Sequence, residues 1–187
     1  MKNNLYRIVH QQEGETVLHL AAGSGHFELT KWLIEEKGMD HMVKSAKDGE
    51  TVLHLAAQSR TFELTKWLIE EKGMDPMVKS AKDGDTLLHF AAQSGNFWLT
   101  KWLIEEKEMD HMVKSAKDKD TILHFAAQSG NFELTKWLIE EKGMDPMVKS
   151  AKDGETVLHL VAQKGNFEFT KWLIEQKGMD PMVKSAK

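Results

Sequence analysis

Two short amphipathic segments alternate along the chain. In the segment that begins near Thr51, the apolar residues Leu53, Ala56 and Ala57 lie three and four positions apart, so they share one face of a helix. Thr51 suits the N-cap position because its hydroxyl can accept a hydrogen bond from a backbone amide of the first turn. The pattern predicts a first helix over about residues 51–59.

The second segment separates apolar and charged positions more clearly. Leu64, Trp67 and Leu68 form its apolar stripe, whereas Lys66 and the glutamates at positions 70 and 71 fall on the opposite, solvated face. Gly73 follows as a helix stop signal. The pattern predicts a second helix over about residues 62–72.

The same two segments return every 35 residues. Fixed self-similarity of this kind is typical of solenoid proteins, in which each unit buries its apolar face only against its neighbours. We therefore predict an all-α repeat solenoid of five stacked helix-turn-helix units. The predicted boundaries are an N-terminal cap at 1–13 and repeats at 14–48, 49–83, 84–118, 119–153 and 154–187, with no evident cap after the last repeat.

Glycines mark the turns of each unit. Those between the two helices, such as Gly25, and those after the second helix, such as Gly73, suit a left-handed backbone. Arg60 and Glu108 replace glycines of these two kinds, and each replacement is expected to cost about 1 kcal/mol. Lys119 replaces a glycine at the tip of a connector. The connector "MDPMVKSAKDG" is compatible with a β-hairpin finger or with a short helical turn.

The segment "GETVLHLAAGSGHFELTKWLIEEKGMD" resembles an ankyrin repeat, whose pattern centres on T-P-L-H-x-A in a unit of about 33 residues. The resemblance recurs in all five units. It departs from the family in two ways, because an aliphatic residue such as Val52 replaces the proline and each unit is two residues longer. The resemblance implies a non-enzymatic protein-interaction scaffold or adaptor that binds a protein partner on the concave face of the solenoid.

Within that face, the resemblance implies contacts at the connector tips and on the exposed side of each first helix. Trp98 is included because the other four repeats have a glutamate at its position, and an exposed tryptophan can act as a binding hot spot. The candidate partner-binding residues are Lys47, Asp48, Glu50, Gln58, Ser59, Lys82, Asp83, Asp85, Gln93, Ser94, Trp98, Lys117, Asp118, Asp120, Gln128 and Ser129. The alternative is a structural or spacer array, a natural expansion or a designed consensus, with no dedicated ligand.

A threonine and a histidine three residues apart also recur in each unit. Imidazoles that occur once per repeat are too far apart to converge on one metal ion, whose ligands must all lie within about 2 Å of it. Each ring is one helical turn from its threonine, so it can bond to that hydroxyl or to the connector backbone. We therefore predict structural roles, and no catalytic, metal-binding or cofactor-binding residues. The structural residues are Thr16, His19, Thr51, His54, Thr86, His89, Thr121, His124, Thr156 and His159.

The recurring tryptophans and methionines are predicted to be buried. The tryptophan of each second helix carries a large apolar area, which favours a packed ladder between repeats. Each connector also has two methionines, such as Met74 and Met77. We expect both to fill the core beneath the connector, with an adaptable methionine-rich binding face as the alternative.

Composition and motif content bear on nucleic-acid binding, membrane insertion, cellular location and catalysis. The net charge is −4, with acids and bases interleaved, so no basic stripe for nucleic acid is evident. No apolar run is long enough for a membrane span. The absence of cysteine excludes thiolate chemistry and suits a cytoplasmic location. No glycine-rich phosphate loop, HExxH motif or nucleophile–base order predicts an enzyme.

Self-association is predicted through the last repeat. Solenoids need polar caps at both ends for solubility, and this chain stops within the phrase "MVKSAK". Val161 and Phe169 replace an alanine and a leucine of the other repeats, which makes the last repeat more apolar. We expect concentration-dependent dimerisation through this repeat.

Overall fold

The structure is a computed structural model that describes residues 14–46 and 49–186. Within this part of the chain it contains ten helices and no strand. The all-α fold of stacked helix pairs predicted from the sequence is therefore confirmed. The predicted cap at 1–13 lies outside the described residues, and the repeat boundaries stay predictions. The helices are α1 Val17–Gly23, α2 Phe27–Glu35, α3 Val52–Gln58, α4 Phe62–Glu70, α5 Leu87–Gln93, α6 Phe97–Glu105, α7 Ile122–Ser129, α8 Phe132–Glu140, α9 Val157–Gln163 and α10 Phe167–Glu175.

The chain divides into two compact units, Met1–Phe90 and Ala91–Lys187. In the first unit, α1 lies against α3, and each of these helices also contacts the second helix of its own repeat. In the second unit, α7 lies against α9 in the same way, and these two contact α8 and α10. First helices thus pack on first helices within each unit, as the period of the sequence predicts.

The first helices are more deeply buried than one apolar stripe suggests. In α3, the side chains from Val52 to Ala57 are all buried, including that of His54. The helix lies against α1 on one side, and the His54 ring contacts Phe90 on another, with ring centroids 5.0 Å apart. A helix enclosed in this way has apolar residues around most of its circumference.

Left-handed residues end the helices where glycine was expected to do so. After α4, the amides of Glu71 and Lys72 both donate to the carbonyl of Trp67, and Gly73 then turns the chain with φ 67°. The helix therefore ends at Glu70, slightly before the predicted residue 72. The three replacements keep the left-handed geometry, with φ 65° at Arg60, 54° at Glu108 and 56° at Lys119.

The connectors are hairpin-like fingers, which decides between the two forms left open by the sequence. In the connector before α3, Lys44 and Thr51 form an isolated antiparallel bridge, and the amide of Ser45 donates to the carbonyl of Glu50 at 2.8 Å. Equivalent bridges join Lys79 to Thr86 and Lys114 to Thr121. The start of each connector is a tight turn in which an aspartate side chain accepts an amide hydrogen bond two residues on, as at Asp75.

The prediction that both methionines of each connector pair are buried is wrong for the second one. Met74 is buried, whereas Met77 is about half exposed. The first methionine follows the helix-ending glycine and turns back under the second helix, where its amide donates to Leu68. The second sits in the turn that follows, on the outside. The exposed methionines are Met42, Met77, Met112, Met147 and Met182.

The tryptophan ladder is confirmed in part. Trp67, Trp102 and Trp172 are buried, whereas Trp32 in the first repeat is 41% exposed. Trp67 packs against the edge of Phe27 from the preceding repeat, with ring centroids 5.7 Å apart. Trp32 has no such phenylalanine among the described residues.

We expect Glu108→Gly to stabilise the fold by about 0.5–1 kcal/mol. Left-handed strain of about 1–2 kcal/mol exceeds the extra entropy that glycine gives the unfolded chain. At the equivalent Gly143, an added Cβ would meet nothing within 4 Å, so backbone strain rather than crowding decides the effect. Urea unfolding followed by circular dichroism measures the change.

Two matched variants check the cause of this stabilisation. Gly143→Ala should lower the free energy of unfolding by a similar amount. Glu106→Gly lies two residues before Glu108, where φ is −105°, and should be destabilising. If both glycine variants raised the free energy of unfolding, left-handed strain would not be the explanation.

Candidate protein-interaction surface

Each recurring histidine closes the start of its own first helix. Nδ1 of His54 accepts a hydrogen bond from the backbone amide of Thr51 at 3.0 Å and lies 2.9 Å from the Thr51 hydroxyl. Together with the Thr51 side chain, which accepts from the His54 amide, these contacts form a capping box. The same contacts join Thr16 to His19, Thr86 to His89, Thr121 to His124 and Thr156 to His159.

The other ring nitrogen reaches the following connector. Because Nδ1 of His54 accepts from an amide, Nε2 carries the proton and donates to the carbonyl of Val78, 24 residues later, at 3.3 Å. His19 and His124 make the same contact with Val43 and Val148. The sequence analysis offered two partners for these rings, the threonine of the same helix and the connector backbone. In the structure, the His54 ring contacts both.

Burial lowers the pKa of three of these imidazoles. The pKa of His54 falls to about 4, chiefly because the surrounding side chains remove water from the ring, while its bond to the Val78 carbonyl opposes the shift. Burial also lowers the pKa of His19 and His124. Neutral rings separated by one repeat are not arranged as a metal site. In residues 14–46 and 49–186, no group of three or more His, Cys, Asp or Glu side chains could hold a metal ion.

The predicted connector-tip acids lie where each finger rejoins a first helix. Glu50, Asp85 and Asp120 are partly exposed, and the backbone amide of each donates to a serine hydroxyl across the finger at 3.1 Å. Their side chains are therefore held at the rim of the surface. Of the other tip candidates, Lys82 and Lys117 are exposed and Asp83 and Asp118 are partly exposed. Lys47 and Asp48 lie outside the described residues.

The candidate residues at the ends of the first helices fall into two groups. Gln93 is exposed, and Gln58 and Gln128 are partly exposed. The hydroxyls of Ser59, Ser94 and Ser129 instead donate to carbonyls of their own helices, at 2.7, 3.0 and 2.7 Å. The glutamines therefore leave their amide groups at the surface, whereas the serines mainly close the helix ends.

A polar cavity in the second unit brings several of the predicted residues together. Its volume is about 110 Å³, room for a few water molecules or the head group of one side chain. Asp118, Asp120 and Gln128 line one side, and residues of the next connector, including Asp153 and Glu155, line the other. His124, Ser150, Lys152 and Leu160 complete the wall.

The residues that line the cavity carry a net negative charge. The pKa of Asp120 is raised, first because burial disfavours its charged form and then because Asp118, Asp153 and Glu155 repel it; His124 opposes the shift. One side-chain oxygen of Asp120 is buried without a hydrogen-bond partner among the described residues. Four carboxylates thus face a single lysine, Lys152, so the cavity suits a positively charged group.

The sequence pattern agrees with this architecture. The family model described as "Ankyrin repeats (3 copies)" matches residues 2–80, 18–115 and 88–185. The chain belongs to the ankyrin-repeat family. Ankyrin repeats are generally protein–protein interaction modules, and the family is a non-enzymatic interaction fold. A comparison with curated proteins finds no match. In the described part of this ankyrin-repeat chain, no helix has the length and apolarity needed to cross a membrane.

Sequence reasoning missed the fifth-repeat side of the cavity. Lys152, Asp153 and Glu155 follow Lys117, Asp118 and Asp120 by 35 residues each, so the repeat period was the signal that could have found them. The candidate set stopped at the fourth repeat. In an ankyrin stack, a surface cavity needs walls from two neighbouring repeats, and both must be included.

Trp98 stands apart from the cavity. It is 67% exposed in the first turn of α6, a second helix, whereas the cavity is built from connectors and first helices. Its ring meets the edge of Phe97, with centroids 5.2 Å apart. The exposure expected of Trp98 is present, but it is not among the residues that line the cavity.

The two substitutions that were predicted to promote self-association of the last repeat have side chains that point inward. Phe169 and Val161 are both buried. The Phe169 ring packs against Phe132 of the preceding repeat, with centroids 4.6 Å apart. The extra apolar volume therefore fills the contact between the fourth and fifth repeats and does not enlarge an exposed face.

We expect the fold to lose stability as the pH falls from about 6.5 to about 4. In this window the unfolded chain takes up a proton on histidine, whereas folded His54 stays neutral until its pKa of about 4. The resulting loss for this residue is at most about 3 kcal/mol. Urea unfolding midpoints at about pH 7.5 and pH 4.5 measure it.

His54→Gln tests the assignment to this ring. Glutamine keeps an amide at the capping-box position but does not titrate, so the variant should be less stable at neutral pH and less sensitive to acid. His26→Gln changes an exposed histidine and serves as the control. An acid sensitivity of His54→Gln equal to that of the wild type would contradict this account.

Proposed function

We propose that this chain is a protein-interaction scaffold or adaptor whose partner binds across the connector tips and the first helices. The acidic cavity between the fourth and fifth repeats carries the proposal. It joins three of the predicted residues, Asp118, Asp120 and Gln128, to their counterparts in the next repeat. A cavity of this size and charge accepts a lysine or arginine side chain from the partner.

Two further features support a protein partner. The exposed methionines, such as Met112 and Met147, lie on the same connectors that carry the acidic residues, and thioether side chains adapt to varied apolar contacts. Carboxylates that repel one another do not stabilise the fold, so their clustering favours a role in binding. The absence of catalysis and of nucleic-acid binding, together with a cytoplasmic location, belongs to the same proposal.

The second candidate is a structural or spacer array without a dedicated ligand. It is favoured by the uniformity of the surface, since Glu50 and Glu155 are the same residue in different repeats and Asp85 and Asp120 keep the charge. A spacer needs stacked repeats but no particular surface residue. Its stability should rise smoothly with repeat number, and surface substitutions should be silent.

The double variant Asp120→Asn/Asp153→Asn separates the two candidates. It should lose a basic partner, while its stability stays the same or rises because the repulsion at Asp120 is removed. Proteins captured from a cell lysate by the full chain and by the variant are compared by quantitative mass spectrometry. The captured partner should also be released by salt, as expected for charge pairing.

Glu141→Gln is the matched control, because it removes an exposed carboxylate just after the second helix of the fourth repeat. It should capture the same proteins as the wild type. Trp98→Glu decides separately whether Trp98 contributes to the same interface. Equal capture by the wild type and the double variant would reject the cavity as the binding site. No capture by either protein would favour the spacer.

A further inference from the structure

Neighbouring repeats are joined by an aromatic contact to which each repeat contributes a different residue. A phenylalanine at the start of the second helix meets the edge of the tryptophan in the next repeat. The centroid distances are 5.7 Å for Phe27–Trp67, 5.8 Å for Phe97–Trp137 and 5.4 Å for Phe132–Trp172, with interplanar angles of 70–76°. The earlier repeat always supplies the phenylalanine and the later repeat the tryptophan.

An ion pair follows the same direction. A glutamate at the end of the second helix binds a lysine 37 residues later, just after the second helix of the next repeat. The Nζ–Oε1 distances are 2.6 Å for Lys72–Glu35, 2.8 Å for Lys142–Glu105 and 2.8 Å for Lys177–Glu140. Each of these lysines also lies over the tryptophan of its own repeat, as Lys72 does at 4.8 Å from the Trp67 centroid. The ion pair and the aromatic contact therefore form one continuous patch.

The first and fifth repeats each present one unmatched half of this patch. In the first repeat, Trp32 is 41% exposed, and Lys37 lies 4.6 Å above its ring. In the fifth repeat, Phe167 is 70% exposed and Glu175 is exposed. Neither the two rings nor the two charges have an inter-repeat partner among the described residues.

We propose that a second copy of this chain docks head to tail, with its first repeat on the fifth repeat of its neighbour. Trp32 of one molecule then meets Phe167 of the next, and Lys37 pairs with Glu175. A second copy is the natural occupant because its first repeat presents the complement of both free groups, in the arrangement that already joins repeats within the chain. Charge complementarity sets the direction, since lysine meets glutamate only when opposite ends join.

The contact is heterologous, so it leaves one free patch of each kind on every dimer. Such an interface adds further molecules as the concentration rises, either in an open chain or in a closed ring. Joining two molecules also carries an entropic penalty that neighbouring repeats of one chain do not face. Association is therefore expected at high protein concentration and should weaken with salt.

Charge reversal tests the direction of assembly. The full chain is followed by analytical ultracentrifugation over a range of concentrations. Lys37→Glu and Glu175→Lys should each weaken association about fivefold, because each replaces an attraction by a repulsion. The double variant carries both reversals and should recover most of the wild-type association, since each contact then joins a glutamate to a lysine again. Glu141→Lys, with the same charge change away from both patches, should have no effect.

Phe167→Ser provides a second measurement and should weaken association about tenfold. Because Phe167 is largely exposed, the variant should keep the wild-type circular dichroism spectrum. A monomeric wild type at the highest concentration would overturn the proposal. So would a loss of association in Glu175→Lys with none in Lys37→Glu, because that result means that two fifth repeats meet or that the first repeat is covered. Failure of the double variant to recover would overturn it as well.

Discussion

The rest of each repeat depends on the imidazole of its first helix, which is buried in the first four repeats. One nitrogen of His54 completes the capping box with Thr51, and the other donates to Val78 in the following connector. A single neutral ring therefore joins the start of a helix to a chain segment 24 residues away. The contact with the Thr51 amide requires an uncharged ring, because a proton on Nδ1 would point at that amide. Burial, which lowers the pKa of His54 to about 4, keeps the ring in that form.

This contact also links the fold to the interaction surface. The connector that His124 holds through Val148 continues directly into Ser150, Lys152 and Asp153, which form one wall of the cavity. His124 itself is also among the residues that line the cavity. A structural role for His124 is therefore compatible with its place in the wall of the cavity. The His124 ring holds the connector whose carboxylates line the cavity.

Much of the fold could be predicted from the sequence because it depends on local rules repeated at a known period. Helix positions follow from apolar spacing, and the left-handed turns follow from glycine, even where Glu108 replaces it. Contacts between repeats could not be predicted from spacing within one helix. The ion pair of Glu35 with Lys72 joins residues 37 apart, two more than the repeat period, so a search at equal positions misses it. The inward direction of Phe169 was missed for a similar reason, because burial in a stack is decided by the neighbouring repeat.

The cavity lies beside a connector tip at which one repeat differs from the others. At the tip of the connector before α3, a Cβ added to Gly49 would overlap Ala81 of the next connector. Lys119 occupies the equivalent position and already carries a Cβ, and the connector stacked on it contains Ala151.

That connector is more open than its counterparts. Ser150 is partly exposed, whereas the equivalent Ser45, Ser80 and Ser115 are buried. The cavity lies between these same two connectors, with Asp118 on one side and Ser150 and Lys152 on the other. The two connectors still share a hydrogen bond, from the amide of Ala151 to the carbonyl of Asp118 at 3.2 Å, and the repelling carboxylates of Asp120 and Asp153 keep the cavity between them polar. In an otherwise repetitive surface, this cluster of carboxylates beside a more open connector distinguishes one position from the others.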